Sequence, residues 1–379
     1  MTYRYDCSGR GGSTETLDAL LRGKKIVVCV GSGGVGKTTM AAALGMRAAA
    51  LGRRVLVLTV DPAKRLATAL GLDLSGIEER QVQLKSAGQL SAAVIDSKSI
   101  FDRFIESNSK DPELYKKLSK NRLYQQLSTT LSGSQEFTAL ERLLQAVESG
   151  KYDLVILDTP PTQHAIDFLS APDRIRSLFQ DSVTRWFMAP EASGGLLGSI
   201  IGRGTRAALK SLEVLTGARF IDELVDFFAS IRSIQKTLRD RSDRVHQLLT
   251  SDVAAFVLVT SFDVAKLQEA RHLAQHLEQF GYDLGGCILN RSFPESLPEW
   301  GEGASEHQFA PDMAAKLLKL RALHALVKAD HQQRFELLRI FRKEMPSRVA
   351  VLQVPEYRQD IFGLQDLESL STFLGESAQ

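Results

Sequence analysis

Gly31-Ser32-Gly33-Gly34-Val35-Gly36-Lys37-Thr38-Thr39 is the stretch that decides the fold. It reads as a glycine, four residues, then Gly-Lys-Thr, the pattern of a phosphate-binding loop. The run before it, Ile26-Val27-Val28-Cys29-Val30, is apolar and β-branched. The run after it, Met40-Ala41-Ala42-Ala43-Leu44, favours helix. Strand, glycine loop and helix in that order form the setting in which the pattern holds phosphate. Gly33, Gly34 and Gly36 let the backbone approach an anion closely, so that successive N–H groups from Gly33 through Val35 to Thr39 face it. The positive end of the following helix adds to the attraction. Lys37 is expected to reach the β- and γ-phosphates of a bound nucleotide, and the Thr38 hydroxyl to ligate Mg²⁺.

Working outward, a helix to about residue 51 leads into a second apolar run, Val55 to Val60, which ends at Asp61-Pro62-Ala63-Lys64-Arg65. Leu154-Val155-Ile156-Leu157 ends at Asp158-Thr159-Pro160-Pro161-Thr162. Ala255 to Thr260, Gly286 to Arg291 and Val349 to Pro355 follow. None of these runs alternates polar with apolar, so each suits a strand buried on both faces of a parallel sheet. Helical patterns separate them, as βαβ units require. The fold class is therefore α/β, a doubly wound, mostly parallel sheet, read as a single domain over residues 1–379. Two helical stretches, about 97–150 and 170–250, interrupt the rhythm and form an inserted subdomain. In the second, Phe220, Leu224, Phe227, Ile231, Ile234 and Leu238 step by four and three, a helical seam that either packs on the sheet or offers a groove to an apolar segment. Residues 313–343 read as a mixed-charge helix with one side to solvent.

Composition narrows the function classes. The chain is 44% hydrophobic and 24% charged, with a net charge of +2, so nothing in the balance favours nucleic acid or an acidic membrane. Cys7, Cys29 and Cys287 are too scattered for a zinc or iron–sulfur site. Their sparse use fits a reduced compartment. No stretch reaches the roughly 18 apolar residues of a membrane span, and the polar start lacks the apolar core of a signal peptide. The expectation is a cytoplasmic protein with no stable membrane anchor.

Asp158 ends a strand where a carboxylate can direct Mg²⁺, a hard cation that prefers oxygen ligands. Asp61 also ends a strand, and either orients the water that attacks the γ-phosphate or caps the helix that follows. Lys64 and Arg65 meet phosphate, a partner chain or solvent. Asn290 carries both donor and acceptor, the equipment for reading an adenine edge, and Pro355 and Tyr357 are placed to wall the base.

With these residues assembled, the chain resembles the ArsA and guided-entry type ATPases over about residues 24–375. The matching pieces are the loop 31–39, Asp61-Pro62-Ala63, and Asp158-Thr159-Pro160-Pro161-Thr162. Leu131 to Glu136, Leu289-Asn290-Arg291 and Asp360 to Leu364 match as well. The nearest likeness is to the paired bacterial ArsA-like ATPases, whose first switch reads Asp-Pro-Ala, a base, Arg-Leu. The resemblance implies a P-loop NTPase fold of the deviant type, Mg-ATP hydrolysis, and a homodimer or a heterodimer with a paralogous ATPase. It also implies helical subdomains that move with the switches to bind an apolar protein client. Partition- or Min-type positioning and a part in anion efflux are the alternatives. The acidic C-terminal stretch Leu364 to Leu370 speaks against the first. The arsenite-binding cysteines of the pump and the zinc-clamping cysteine pair of the guided-entry dimers are both absent. Ser32 stands where that group carries a lysine that reaches the partner's nucleotide; a serine donates one hydrogen bond and no charge.

Overall fold

The computed structural model describes residues 11–60, 65–72, 79–108, 112–121, 124–125, 134–160, 223, 227, 234–293, 311–357, 361 and 363–375. Asp61, Lys64, the turn beyond Pro160 and most of the stretch 170–250 lie outside them.

The first half of the chain runs α1 (Gly11–Gly23), β1 (Ile26–Val30), α2 (Lys37–Ala50), β2 (Arg54–Thr59), α3 (Arg65–Leu70), β3 (Arg80–Val82) and β4 (Gln89–Val94). It continues through α4 (Ser97–Asn108), α5 (Pro112–Ser119), α6 (Ser134–Glu148) and β5 (Leu154–Asp158). The second half runs α7 (Gln235–Leu249), β6 (Ala254–Ser261), α8 (Val264–Gln279), β7 (Leu284–Ser292), α9 (Pro311–Glu344), β8 (Ala350–Pro355) and α10 (Leu364–Phe373).

Eight strands form one sheet in the order β3-β4-β2-β5-β1-β6-β7-β8. Every pairing is parallel except β3 against β4. β1 lies in the middle, with Cys29 opposite Asp158 of β5 on one side and Val257 of β6 on the other. All five of its residues are fully buried, which is why the run is apolar on both faces. One face of the sheet packs Val27 and Cys29 against Met40 and Leu44 of α2, with Leu21 of α1 and Leu367 of α10. The other packs Val28 and Val30 against Leu140 of α6, Val245 of α7 and Leu277 of α8. The strand order reverses direction about β1, and in open α/β sheets that switch point is where ligands bind.

β3, at the edge of the sheet, and β4 beside it do not stand out in the sequence. β4 is Gln-Leu-Ser-Ala-Ala-Val and β3 has three residues, too polar and too short to stand out. α9 differs from expectation in another way. At 34 residues it spans about 50 Å. Leu338 and Phe341, late in it, join the core, whereas Leu318, Leu320, Leu323 and Leu326 are exposed on more than one side. Among the described residues no helix is long and apolar enough to cross a membrane.

Glu79, just before β3, ties three elements together. Its carboxylate accepts from Arg142 of α6 at 2.6 Å and from Tyr152 Oη at 2.5 Å, and it pairs with Lys151. Partial burial opposes its charge, but the hydrogen bonds from Lys151, Tyr152 and Arg142 outweigh that and hold the carboxyl down to about 2. A carboxyl depressed on folding stabilises the protein above its unfolded value of 4.5, and that contribution is lost as pH falls toward 2. Glu79→Gln should therefore cost about 1 kcal/mol at pH 7, after discounting for solvent screening. The difference from the parental protein should shrink between pH 4.5 and 2, as read by urea unfolding at each pH.

Candidate functional site

The loop between β1 and α2 sits at the carboxyl edge of the central strand, where the sheet leaves its backbone groups open. Gly34 and Gly36 take left-handed φ values of 79° and 93°, which side chains other than glycine rarely adopt. Gly36 caps α2 and, as a glycine, has no side chain to compete with an anion for the first N–H groups of the helix. Val35 is buried and anchors the loop, while Gly33 and Gly34 are exposed. Thr39 is half-buried in the first turn of α2.

Lys37 is 6% exposed, and its Nζ donates to the Ser32 carbonyl at 2.8 Å. The ammonium is thus folded across the loop it belongs to. Thr38 Oγ1 donates to Asp158 Oδ2 at 2.7 Å, and Thr59 Oγ1 donates to the same oxygen at 2.8 Å. Asp158 is 1% exposed, held between β1 and β2, and Thr159 fastens the turn after it by donating Oγ1 to the Cys29 carbonyl at 2.8 Å. Two hydroxyls and one carboxylate therefore meet at the floor of the loop, all hard oxygen donors. Cys29, fully buried beneath them, has its thiol pushed up by burial and then by the Asp158 carboxylate, with Lys37 pulling the other way.

The structure brings Asn290 to the loop as well. Its Nδ2 donates to the Val35 carbonyl at 2.9 Å and its Oδ1 accepts from the Arg291 N–H at 2.9 Å. A Cβ on Gly36 would lie 2.4 Å from that Nδ2, so the amide packs directly on the glycine. Arg291, next in sequence, has a positive φ of 54°. Pro355 ends β8 opposite Ser292, and Tyr357 is 38% exposed two residues on. β8 lies three strands from β1, about 14 Å across the sheet at ordinary strand spacing. Pro355 and Tyr357 thus share the loop's edge of the sheet without touching the phosphate positions.

The fold and this loop agree with the outcome of sequence comparison. The family model described as anion-transporting ATPase, ArsA, matches residues 24–307. The chain belongs to the ArsA ATPase family. It is 28% identical over 272 residues to an ATPase get3 of Aspergillus terreus, covering 71% of this chain and 74% of the relative. It is 27% identical over 288 residues to an ATPase get3 of Aspergillus niger, covering 75% and 78%. Membership in this family makes the protein an ATP-binding ATPase of the ArsA and guided-entry type.

In this ArsA-family ATPase, Ser32 is buried at 8% exposure, and its hydroxyl donates to Glu269 Oε2 of α8. Lys266, one turn earlier, pairs with the same oxygen at 3.1 Å. The Ser32 hydrogen bond, followed by the Lys266 contacts, holds the Glu269 carboxyl below its ordinary range. Sequence reasoning missed both residues. They stand about 235 positions from the loop, on a helix whose pattern reads as an ordinary cover for the sheet, and an i, i+3 Lys–Glu pair is common on any helix.

Proposed function

We propose that the protein is a Mg-ATP-driven switch that dimerises, with a second copy or a paralogous ATPase, and couples turnover to holding an apolar protein segment. The observation that carries the reading is the meeting of Lys37, Thr38 and Asp158 at one loop. Thr38 Oγ1 and Asp158 suit Mg²⁺ because both are hard oxygens and the cation keeps several waters of its own. When bound there, Mg²⁺ would neutralise charge building on the β- and γ-phosphates. Backbone N–H groups of Gly33 through Thr39 cradle the phosphates, and Lys37 leaves the Ser32 carbonyl to donate to them. Asn290 fixes the loop from β7 through the Val35 carbonyl, so only its second amide hydrogen and second Oδ1 lone pair would be offered to the base, which Pro355 and Tyr357 wall.

Asp61 is assigned the attacking water, which it orients by accepting a proton-side hydrogen bond from it. Asp61→Asn should therefore keep ATP affinity within about threefold and lose turnover by about 10²-fold, a typical cost for a lost general base. Phosphate release at the parental rate would remove Asp61 from the mechanism. The helical insertions at about 97–150 and 170–250 are assigned to the client or partner, within a single ATPase domain. The relatives carry the name ATPase get3. Of the apolar seam in the second insertion, Phe227, Ile234 and Leu238 are buried within the chain, so a client of low polarity would have to displace their present neighbours.

One experiment tests the dimer half of the reading: native mass of the purified protein with and without Mg-ATP, alone and after recovery from its own lysate. A doubling of mass with ATP supports a homodimer, and a paralogous ATPase recovered with the chain supports a heterodimer. A monomer under every condition sinks the dimer half of the proposal.

A further inference from the structure

We infer that Lys266 is a second cation of the phosphate site, held in reserve by Glu269 and released to the nucleotide when phosphate takes over the Ser32 hydroxyl. The inference rests on the ATP site proposed above and adds a residue to it from another part of the chain.

The placement starts from the sheet. β6 neighbours β1, and Gly31 at the start of the loop lies against Val259 of β6. α8 follows β6 directly, so its first turn emerges beside the loop at the same edge of the sheet. Lys266 is pinned there by its backbone. Its N–H donates to Asp263 Oδ1 at 3.2 Å, and its carbonyl accepts from Thr260 Oγ1 at 3.1 Å. Only the side chain is left to move, and it is 31% exposed.

Its present partner joins it to the loop. Glu269 Oε2 takes the Lys266 ammonium and the Ser32 hydroxyl together. The Ser32 carbonyl takes Lys37. Two ammonium groups are thus anchored through one loop residue, one on its backbone and one through its side chain. An incoming triphosphate bears more charge than a single carboxylate and offers several oxygens in place of one. It therefore competes with Glu269 for both donors, since charge-assisted hydrogen bonds strengthen with the acceptor's charge. Phosphoryl transfer is governed by positioning and charge neutralisation, and a neutral Ser32 cannot neutralise. Lys266 is the cation that the fold sets next to that serine.

The ordinary alternative is a surface i, i+3 ion pair of small worth. Three variants separate the two, using the full chain and a fluorescent analogue of ATP or ADP with Mg²⁺. Lys266→Met removes the charge and keeps the stem. It should weaken ATP by about tenfold, one charge-assisted contact, while ADP moves less than about twofold. Glu269→Gln keeps an acceptor for Ser32 and removes the competing charge, so ATP should bind severalfold more tightly. Ser32→Lys added to Lys266→Met should restore the preference for ATP over ADP. An unchanged ATP-to-ADP ratio in Lys266→Met, weaker ATP binding by Glu269→Gln, or failure of the Ser32→Lys rescue each overturns the inference. Parental protein that binds neither nucleotide would instead overturn the phosphate site itself. Thermal unfolding of each variant confirms that a folded protein is being compared.

Discussion

Lys37→Ala is expected to give a folded protein that no longer binds ATP. Lys37 is buried, and its ammonium donates to the Ser32 carbonyl within the loop. Without nucleotide, that contact gains little over a hydrated ammonium, because burying the charge costs much of what the hydrogen bond returns. Removal should leave the melting temperature of the protein alone nearly unchanged. With nucleotide the balance differs, because the ammonium would face phosphate oxygens. Truncating one partner of a buried charge pair costs about 2–5 kcal/mol, so ATP affinity should fall by about 30-fold or more. The most direct readout is thermal: a ligand that binds the folded state raises its stability as the logarithm of one plus its concentration over Kd. Mg-ATP should raise the melting temperature of the parental protein and not that of Lys37→Ala. An equal rise in both would remove Lys37 from the site.

Gly31→Ala should be severely damaging for the addition of one methyl. Gly31 has φ of 150°, and a Cβ there would lie 2.0 Å from the Val259 carbonyl oxygen and 3.1 Å from its carbon. The obstacle is backbone in the middle of β6, and Val259 sits opposite Ile288 of β7 in the parallel ladder. It cannot rotate aside as a side chain would. Backbone strain of about 1–3 kcal/mol and overpacking of about 1–3 kcal/mol combine to a loss on the order of 4 kcal/mol. Gly34→Ala is the matched control. Its φ of 79° is also left-handed, but nothing lies within 4 Å of the added carbon. That change should cost about 1–2 kcal/mol. Denaturant unfolding of the two variants should therefore separate close approach from conformation alone; equal losses would mean that the Val259 contact is relieved.

The sequence made the middle of this molecule legible and its margins obscure, for one physical reason. β1, β2, β5, β6 and β7 are covered on both faces or nearly so, and burial on both faces demands unbroken apolar runs. β4 is packed more loosely, with three of its six residues partly or wholly exposed, and small polar residues suffice there. The loop was legible because phosphate binding constrains consecutive residues. The Ser32–Glu269–Lys266 link joins residues that no local pattern connects, and only the adjacency of β6 to β1 brings them together. Asn290 stands between the two cases. Its place at a strand end was readable, whereas its grip on the Val35 carbonyl belongs to the tertiary fold.

The two buried thiols have a practical consequence for following the protein in motion. Cys29 and Cys287 are both buried, on β1 and β7, and burial pushes the Cys287 thiol up to about 12. Maleimide and disulfide reagents are attacked by thiolates, so neither residue competes for label while the sheet is intact. Cys7 is the only other cysteine in the chain. With Cys7 replaced, a reporter cysteine placed on α8 or α9 would carry a dye at a single known point. The sheet's own chemistry thus leaves the molecule open to distance measurements through a cycle of ATP binding and release.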